Sequence, residues 1–246
     1  MKLLIGLIVP VILSAQMLAG IVGDKHQSGG GGGITIGTVQ SSGNFFSVAS
    51  SSYSVTVAAT AHPALWVAVW IDGNTVTGCS YNSVAMTQLS STVNDVVSYR
   101  LATFVLVNPA TGANTLACTF GGTVSSIGGV IQAIPLYGVN QTGTVGNSWR
   151  TPPTPTNDGG GGTVTASITA TTVSGDLVID AVEEFNQTLG SPGAGQTSQF
   201  VTSSDGFGNV EGRGISTKTA TTTSTTMTWT FTSTFWQQHA VAFIPG

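Results

Sequence analysis

Charged side chains are scarce in this chain of 246 residues. They make up 7% of the sequence and give a net charge of −4, whereas about 25% is typical of soluble domains. The six Lys and Arg are scattered singly, so no basic patch is available to neutralise phosphates, and nucleic acid is not an expected partner. Ser, Thr, Asn, Gln and Gly must cover the solvated surface instead, which favours a secreted, virion or filament protein.

Cysteine is also rare, with Cys79 and Cys118 as the two examples. Because there is no CxxC motif and no Cys/His cluster, the sequence predicts no structural zinc site. In an oxidising compartment the two cysteines could form one disulfide. In a reducing compartment they would be two small buried thiols. The sequence leaves these alternatives open.

Helical periodicity is missing after residue 33, and about a dozen short strand-like segments take its place. The clearest is the hairpin of residues 101–120, whose turn at residues 108–114 contains a proline, two asparagines and Gly112 for a positive φ. Residues 64–71 are apolar throughout, which is typical of a strand covered on both faces. The pattern predicts an all-β protein, an antiparallel two-sheet sandwich or jelly roll, with a closed barrel as the alternative.

A glycine-rich stretch divides the chain. Residues 28–33 read SGGGGG and predict a flexible linker, after which residues 34–246 form a single β-sandwich domain. Residues 1–27 contain an uncharged run, residues 3–23, that is long enough as a helix to cross a bilayer. A signal peptide, a membrane anchor and an arm buried in an assembly remain open for this segment. The side chains that would anchor it are Leu3, Leu4, Ile5, Leu7, Ile8, Val9, Val11, Ile12 and Leu13.

Six segments together resemble a known family. They are residues 79–87 (CSYNSVAMT), 106–114 (LVNPATGAN), 137–142 (YGVNQT), 174–180 (SGDLVID), 227–231 (MTWTF) and 236–245 (WQQHAVAFIP). In this order they resemble an uncharacterised jelly-roll β-sandwich module of lectin-like architecture, found in secreted bacterial proteins and in phage and other virion surface proteins. The resemblance implies the fold and a surface location, and it brings no catalytic residues. The pair Asn82-Ser83 departs from the small or glycine pair usual after the tyrosine, which affects a turn.

One acidic cluster, Asp180, Glu183 and Glu184, invites comparison with glycoside hydrolases. On a strand, Asp180 and Glu184 share a face about 13 Å apart, and Glu183 points to the other face. Glycosidase carboxylates lie about 5–5.5 Å or about 6.5–9.5 Å apart. The spacing therefore favours a strand end that enters solvent, and no enzyme is predicted.

The five tryptophans divide into two groups. Three are predicted to be core residues because they alternate with or lie among apolar neighbours: Trp66, Trp70 and Trp229. Trp149 lies beside Arg150 in a long irregular segment, residues 140–162, and Trp236 follows a strand. Exposed aromatic rings flanked by Asn, Gln and Thr can hold sugar rings, so Trp149, Arg150 and Trp236 are candidate glycan-binding residues. They could equally pack against neighbouring subunits.

These features predict a non-enzymatic structural protein on the surface of a virion or cell. Residues 3–23 would contact a membrane or attach the protein to an assembly, and the jelly roll would be exposed for adhesion. The expected partners are other virion or surface subunits, with a homo-oligomer favoured. A secreted carbohydrate-binding module is the alternative, which would add glycans to the partners, and a glycoside hydrolase is less favoured. No cofactor or metal is expected.

Overall fold

The computed structural model describes residues 32–94, 98–125, 128–159, 165–185, 188–203, 210–231 and 235–246. Within these ranges the protein is built from β-strands, and no helix there could cross a membrane. The predicted anchor, residues 3–23 with its side chains from Leu3 to Leu13, lies outside the described residues, as does most of the glycine linker.

Seventeen strands are found in the described ranges. In chain order they are β1 (Thr35–Ile36), β2 (Gln40–Ser41), β3 (Ser50–Val57), β4 (Pro63–Asp72), β5 (Val76–Tyr81), β6 (Val84–Ala85), β7 (Thr87–Asn94), β8 (Tyr99–Val107), β9 (Gly112–Phe120), β10 (Gly129–Tyr137), β11 (Thr156–Gly159), β12 (Thr165–Thr171), β13 (Leu177–Phe185), β14 (Thr197–Thr202), β15 (Glu211–Thr219), β16 (Ser224–Thr230) and β17 (Phe235–Phe243).

The strands form four antiparallel sheets, none of which closes into a barrel within the described ranges. Sheet I has the order β3-β9-β5-β6, and sheet II has the order β1-β10-β4-β8-β7 with β2 also paired to β10. Sheet III has the order β11-β17-β13-β15-β14, and sheet IV is the pair β12-β16. Apolar layers join I to II, II to III and III to IV, so the sheets stack in that order. The predicted antiparallel all-β sandwich is confirmed, with four sheets in place of two.

Strand β4 lies at the centre of the stack and is buried over its whole length, as its uninterrupted apolar sequence predicts. Its alternate side chains enter different layers. Leu65 and Val67 pack between sheets I and II, whereas Trp66 and Trp70 pack between sheets II and III. Burying each aliphatic side chain of this kind stabilises the fold by roughly 1.5–3 kcal/mol.

The two halves of the chain share one topology. The order β10-β4-β8-β7 of sheet II corresponds to β17-β13-β15-β14 of sheet III, and β3-β9 corresponds to β12-β16. Equivalent backbone bonds set the register, since Asn108 N donates to Pro63 O and Ala220 N donates to Asp176 O. Where the first half has β5, the second half has an irregular segment, in which Gly193 N donates to the carbonyl of Thr228 in β16. Residues 34–246 therefore contain an internal structural repeat.

Sheet I contains the disulfide. Cys79 in β5 and Cys118 in β9 are direct cross-strand partners, and their sulfurs are bonded. The structure thus selects the disulfide from the two alternatives that the sequence left open. Both residues are buried, and they face the apolar layer between sheets I and II.

Two turns bear out the local chemistry of the sequence. Gly112 has a φ of 87°, as predicted for the turn of the 101–120 hairpin. Asn114 Nδ2 donates to the carbonyl of Thr111 at 3.2 Å, which closes that turn. Asn82 and Ser83, which join β5 to β6, both have positive φ, as a two-residue type I′ hairpin turn requires.

The segment of residues 140–162 differs from its prediction as one long irregular loop. It contains β11, which pairs with β17, and Trp149 forms an isolated bridge with Phe243. The prediction missed these because the pairing partners lie 76 to 94 residues further along the chain, at its C-terminal strand.

Candidate functional site

The second half of the chain buries polar residues where the first half has apolar ones. Asp180 of β13 occupies the position of Val67 in β4, because each lies four residues after the equivalent carbonyl acceptors, Asp176 and Pro63. The cross-strand partner of Asp180 is Ser216, whereas that of Val67 is Phe104. The interior between sheets III and IV is therefore polar at the point where the interior between sheets I and II is apolar. Burying polar groups is costly unless they are hydrogen-bonded, which directs attention to this cluster.

Asp180 is fully buried and accepts four hydrogen bonds. Its Oδ1 accepts from the backbone N of Ser216 at 3.0 Å and from Ser216 Oγ at 2.6 Å. Its Oδ2 accepts from Trp229 Nε1 at 2.8 Å and from Gln238 Nε2 at 2.7 Å. Burial raises the pKa of Asp180 to about 6, and the hydrogen bonds from Ser216, Gln238 and Trp229 oppose that rise. One carboxylate thus joins β13, β15, β16 and β17.

A second polar group lies on the opposite face of sheet III, towards sheet II. Arg213 Nε donates to Glu183 Oε1 at 3.1 Å, and Gln237 Nε2 donates to Glu183 Oε2 at 2.7 Å. All three side chains are buried. Burial raises the pKa of Glu183, and the guanidinium of Arg213 opposes the rise. The prediction that Asp180 and Glu183 point to opposite faces of their strand is confirmed, since the two side chains contact different layers.

This second group continues across to sheet II through a hydroxyl. Thr92 of β7 donates from Oγ1 to Gln237 Oε1 at 2.9 Å. Because that proton is engaged, the close contact between Thr92 Oγ1 and His239 Nε2 requires His239 to donate from Nε2. Burial lowers the pKa of His239 to about 3, so the ring is neutral, and its Nδ1 is a buried acceptor without a hydrogen-bond partner among the described residues.

A tyrosine makes a further polar link between the same two sheets. Tyr99 of β8 donates to Glu211 Oε1 at 2.8 Å, and both residues are buried. Burial and the neighbouring carboxylate of Glu211 both raise the pKa of Tyr99, so its hydroxyl keeps its proton and remains a donor. The Tyr99 ring also lies 5.0 Å from that of Phe185.

The chemistry that this arrangement supports is the cross-linking of sheets. His239, Thr92, Gln237, Glu183 and Arg213 form a continuous chain of hydrogen bonds, and most of its members are buried. An open cavity of about 480 Å³ lies elsewhere. It is lined by Gly33, Thr35, Ile36, Gly37, Thr38, Ala58, Thr60, Ala61, Tyr137 and Gly138. In the described ranges no group of three or more His, Cys, Asp or Glu residues is placed to hold a metal ion.

The candidate glycan-binding residues are placed as follows. Trp149 is 3% exposed and belongs to the apolar layer between sheets II and III. Trp236 is 6% exposed and stacks on Phe231 with ring centroids 5.9 Å apart. Arg150 donates from Nε to Asp176 Oδ2 at 2.8 Å and from Nη2 to Oδ1 at 3.2 Å. The burial of both tryptophans leaves little ring surface on which a sugar could stack.

The expectation that the acidic cluster lies at a strand end entering solvent is wrong. Asp180, Glu183 and Glu184 are each at most 2% exposed. The sequence reasoning missed the donors, because Ser216, Trp229 and Gln238 lie far from Asp180 along the chain. A usable signal was the period-two placement of polar residues along a strand, as in Glu211 and Arg213 of β15 or Gln237 and His239 of β17.

No family model, no curated protein and no solved structure matches this chain. The resemblance to a jelly-roll surface module therefore stays a prediction.

Proposed function

We propose that this chain is a non-enzymatic structural protein displayed on the surface of a virion or cell. Its N-terminal segment, residues 3–23, attaches it to an assembly or a membrane. The β-sandwich, which has jelly-roll connectivity according to the resemblance, is exposed for adhesion. The observation that carries the proposal is the Cys79–Cys118 disulfide, because structural disulfides persist in oxidising environments outside the cytosol.

The character of the surface supports the proposal. Charged residues are 7% of the chain, and several of them are buried between the sheets, among them Asp180, Glu183 and Arg213. The outward faces of β12 and β16 consist of Ser and Thr at every exposed position. A rigid stack of sheets with an uncharged hydroxyl surface suits a display role. The alternative of a carbohydrate-binding module draws no support from Trp149 and Trp236, whose rings are buried.

Removing the N-terminal segment tests the proposal. The full chain and a chain that begins at residue 34 are produced in the same host and separated into soluble and particle or envelope fractions. The full chain is expected to sediment with the particles or envelopes. The shortened chain is expected to stay soluble with an unchanged near-ultraviolet circular dichroism spectrum, since every described strand lies after residue 33. A matched control, in which residues 28–33 alone are deleted, should still sediment. Sedimentation of the folded shortened chain would overturn the attachment role.

A further inference from the structure

Strand β12 has an unprotected edge in sheet IV. It pairs with β16 on one side, and within the described ranges no strand pairs with its other side. Sequence TASITAT contains no charge and no proline, and its seven residues pair with β16 without a bulge. Natural edge strands usually carry a charged residue, a proline or a bulge, because unpaired N–H and C=O groups otherwise bind other strands. This edge is therefore ready to accept a further strand.

The register identifies the backbone groups on that edge. Just past the strand end, Thr172 N donates to Thr223 O, and in an antiparallel pair the bonded residues alternate. Residues 166, 168 and 170 of β12 therefore bond to β16. The N–H and C=O groups of Thr165, Ser167, Thr169 and Thr171 point away from β16, and the side chains of these four residues are exposed.

The equivalent edge in the first half is blocked. Gln40 lies against β3, where its Nε2 donates to Thr56 O at 2.9 Å and its Oε1 accepts from Thr56 N at 2.7 Å. One glutamine thus occupies the outward-facing groups of Thr56 in the strand that corresponds to β12. No side chain makes such a bond to β12 in the described part of the chain.

The sequence of β12 reads the same backwards except for one exchange of Ser for Thr. About a centre at Ile168, Thr165 corresponds to Thr171, Ala166 to Ala170 and Ser167 to Thr169. From this symmetry we infer that the partner of the edge is β12 of a second copy of the chain, paired antiparallel about a two-fold axis at Ile168. The inference rests on the proposed function, for which it names one subunit contact. Such an interface is isologous and closes as a dimer.

The pairing satisfies both the backbone and the side chains. The four residues whose backbone groups point outwards meet one another, so that Thr165 pairs with the partner's Thr171 and Ser167 pairs with the partner's Thr169. This gives about eight hydrogen bonds between the two strands. Hydroxyl side chains continue across the outer face, and Ala166, Ile168 and Ala170 continue the inner apolar face. A slip of one residue is excluded, because it would place apolar side chains in the outer face.

Two exposed threonines supply a matched pair of variants for the test. Thr169 of β12 and Thr226 of β16 are cross-strand partners, and their hydroxyl oxygens are 2.8 Å apart. Changing either residue to lysine removes the same side-chain hydrogen bond, but only Thr169 lies at the proposed seam. Thr169→Pro is a second variant, which removes an outward N–H at a position where an edge strand tolerates proline.

The molar mass of the full chain in detergent, measured by light scattering across a concentration series, decides the matter. Wild type and Thr226→Lys are expected to reach dimer mass as concentration rises. Thr169→Lys and Thr169→Pro are expected to stay at about half that mass, with unchanged circular dichroism. A wild-type chain that stays monomeric would overturn the inference, and so would Thr169 variants that remain dimers. Neither outcome depends on particle attachment, so failure of the proposed function would be detected separately.

Discussion

His239 of β17 donates from Nε2 to the hydroxyl oxygen of Thr92 in β7, and this contact ties sheet III to sheet II. The same hydroxyl donates to Gln237, and Gln237 donates to Glu183. One chain of hydrogen bonds therefore connects the two halves of the repeat. Within a largely apolar interface, such a chain fixes the relative position of the sheets because breaking one of its hydrogen bonds would leave a buried polar group unsatisfied. Its titratable members also make stability depend on pH.

His239 is expected to lower stability as the solution is acidified. Its folded pKa, lowered to about 3 by burial, lies below the ordinary value of about 6.5. Between those values the unfolded chain binds a proton that the folded chain does not, so the free energy of unfolding falls with falling pH, by at most about 1.4 kcal/mol per pH unit. In His239→Gln, whose amide can still donate to Thr92, this contribution disappears. Urea unfolding at a series of pH values checks this, and parallel curves for variant and wild type would contradict it.

Asp180 is expected to act in the opposite direction. Its folded pKa of about 6 lies above the unfolded value of about 3.9. The folded chain therefore binds the proton first, and this group adds stability as pH falls from about 6 to about 4. In the wild type this gain offsets part of the loss at His239. The double variant Asp180→Asn, His239→Gln should then show a flatter profile than either single variant. A steeper profile would contradict the assignment.

Asp180→Asn should destabilise the protein strongly at neutral pH. The new amide nitrogen would face the donors of either Ser216 or the pair Trp229 and Gln238, leaving buried donors unsatisfied. We expect a loss of about 3 kcal/mol in the free energy of unfolding. Ser216→Ala removes one donor to Asp180, together with the acceptor for Gln196 Nε2, and should cost about 1–2 kcal/mol. Chemical denaturation measures both, and equal costs for the two variants would contradict the four-donor account.

The disulfide lies in sheet I, at the other end of the stack from Asp180, and it should also stabilise the fold. Replacing Cys79 and Cys118 together by alanine is expected to lower the free energy of unfolding by roughly 3–4 kcal/mol through the lost constraint on the unfolded chain. Unfolding with and without reductant provides the control. Reductant should lower the stability of the wild type and leave the double variant unchanged, whereas an effect of reductant on the variant would contradict the assignment.

Backbone strain in two turns gives a pair of predictions with opposite signs. Ser83 has a φ of 64°, so Ser83→Gly should raise the free energy of unfolding by about 0.5–1 kcal/mol. Gly112 has a φ of 87° with open space around it, so Gly112→Ala should lower it by about 1 kcal/mol. Gly78→Ala is the matched control, since Gly78 has equal space and no positive φ. Thermal or chemical unfolding measures all three, and stabilisation by Gly112→Ala would contradict the account.

The strands were largely predictable because their signals are local. Strand β4 follows from its apolar run, and the turn at Gly112 follows from its residue types. The internal repeat could not be read from the sequence, since structurally equivalent positions hold unlike residues, as with Val67 and Asp180. The polar cluster was missed for a related reason. The donors to Asp180 come from three other strands, so their convergence depends on the sheet order, which no local pattern encodes.

The central claim is that this protein works outside the reducing cytosol, where the bond between Cys79 and Cys118 persists. Treating intact producing cells or particles with a membrane-permeable alkylating reagent, followed by intact-mass measurement of the full chain, tests it most directly. The account predicts that neither cysteine is alkylated unless a reductant is added first under denaturing conditions. Alkylation of both cysteines without reduction, after denaturation in the presence of the reagent, would contradict it.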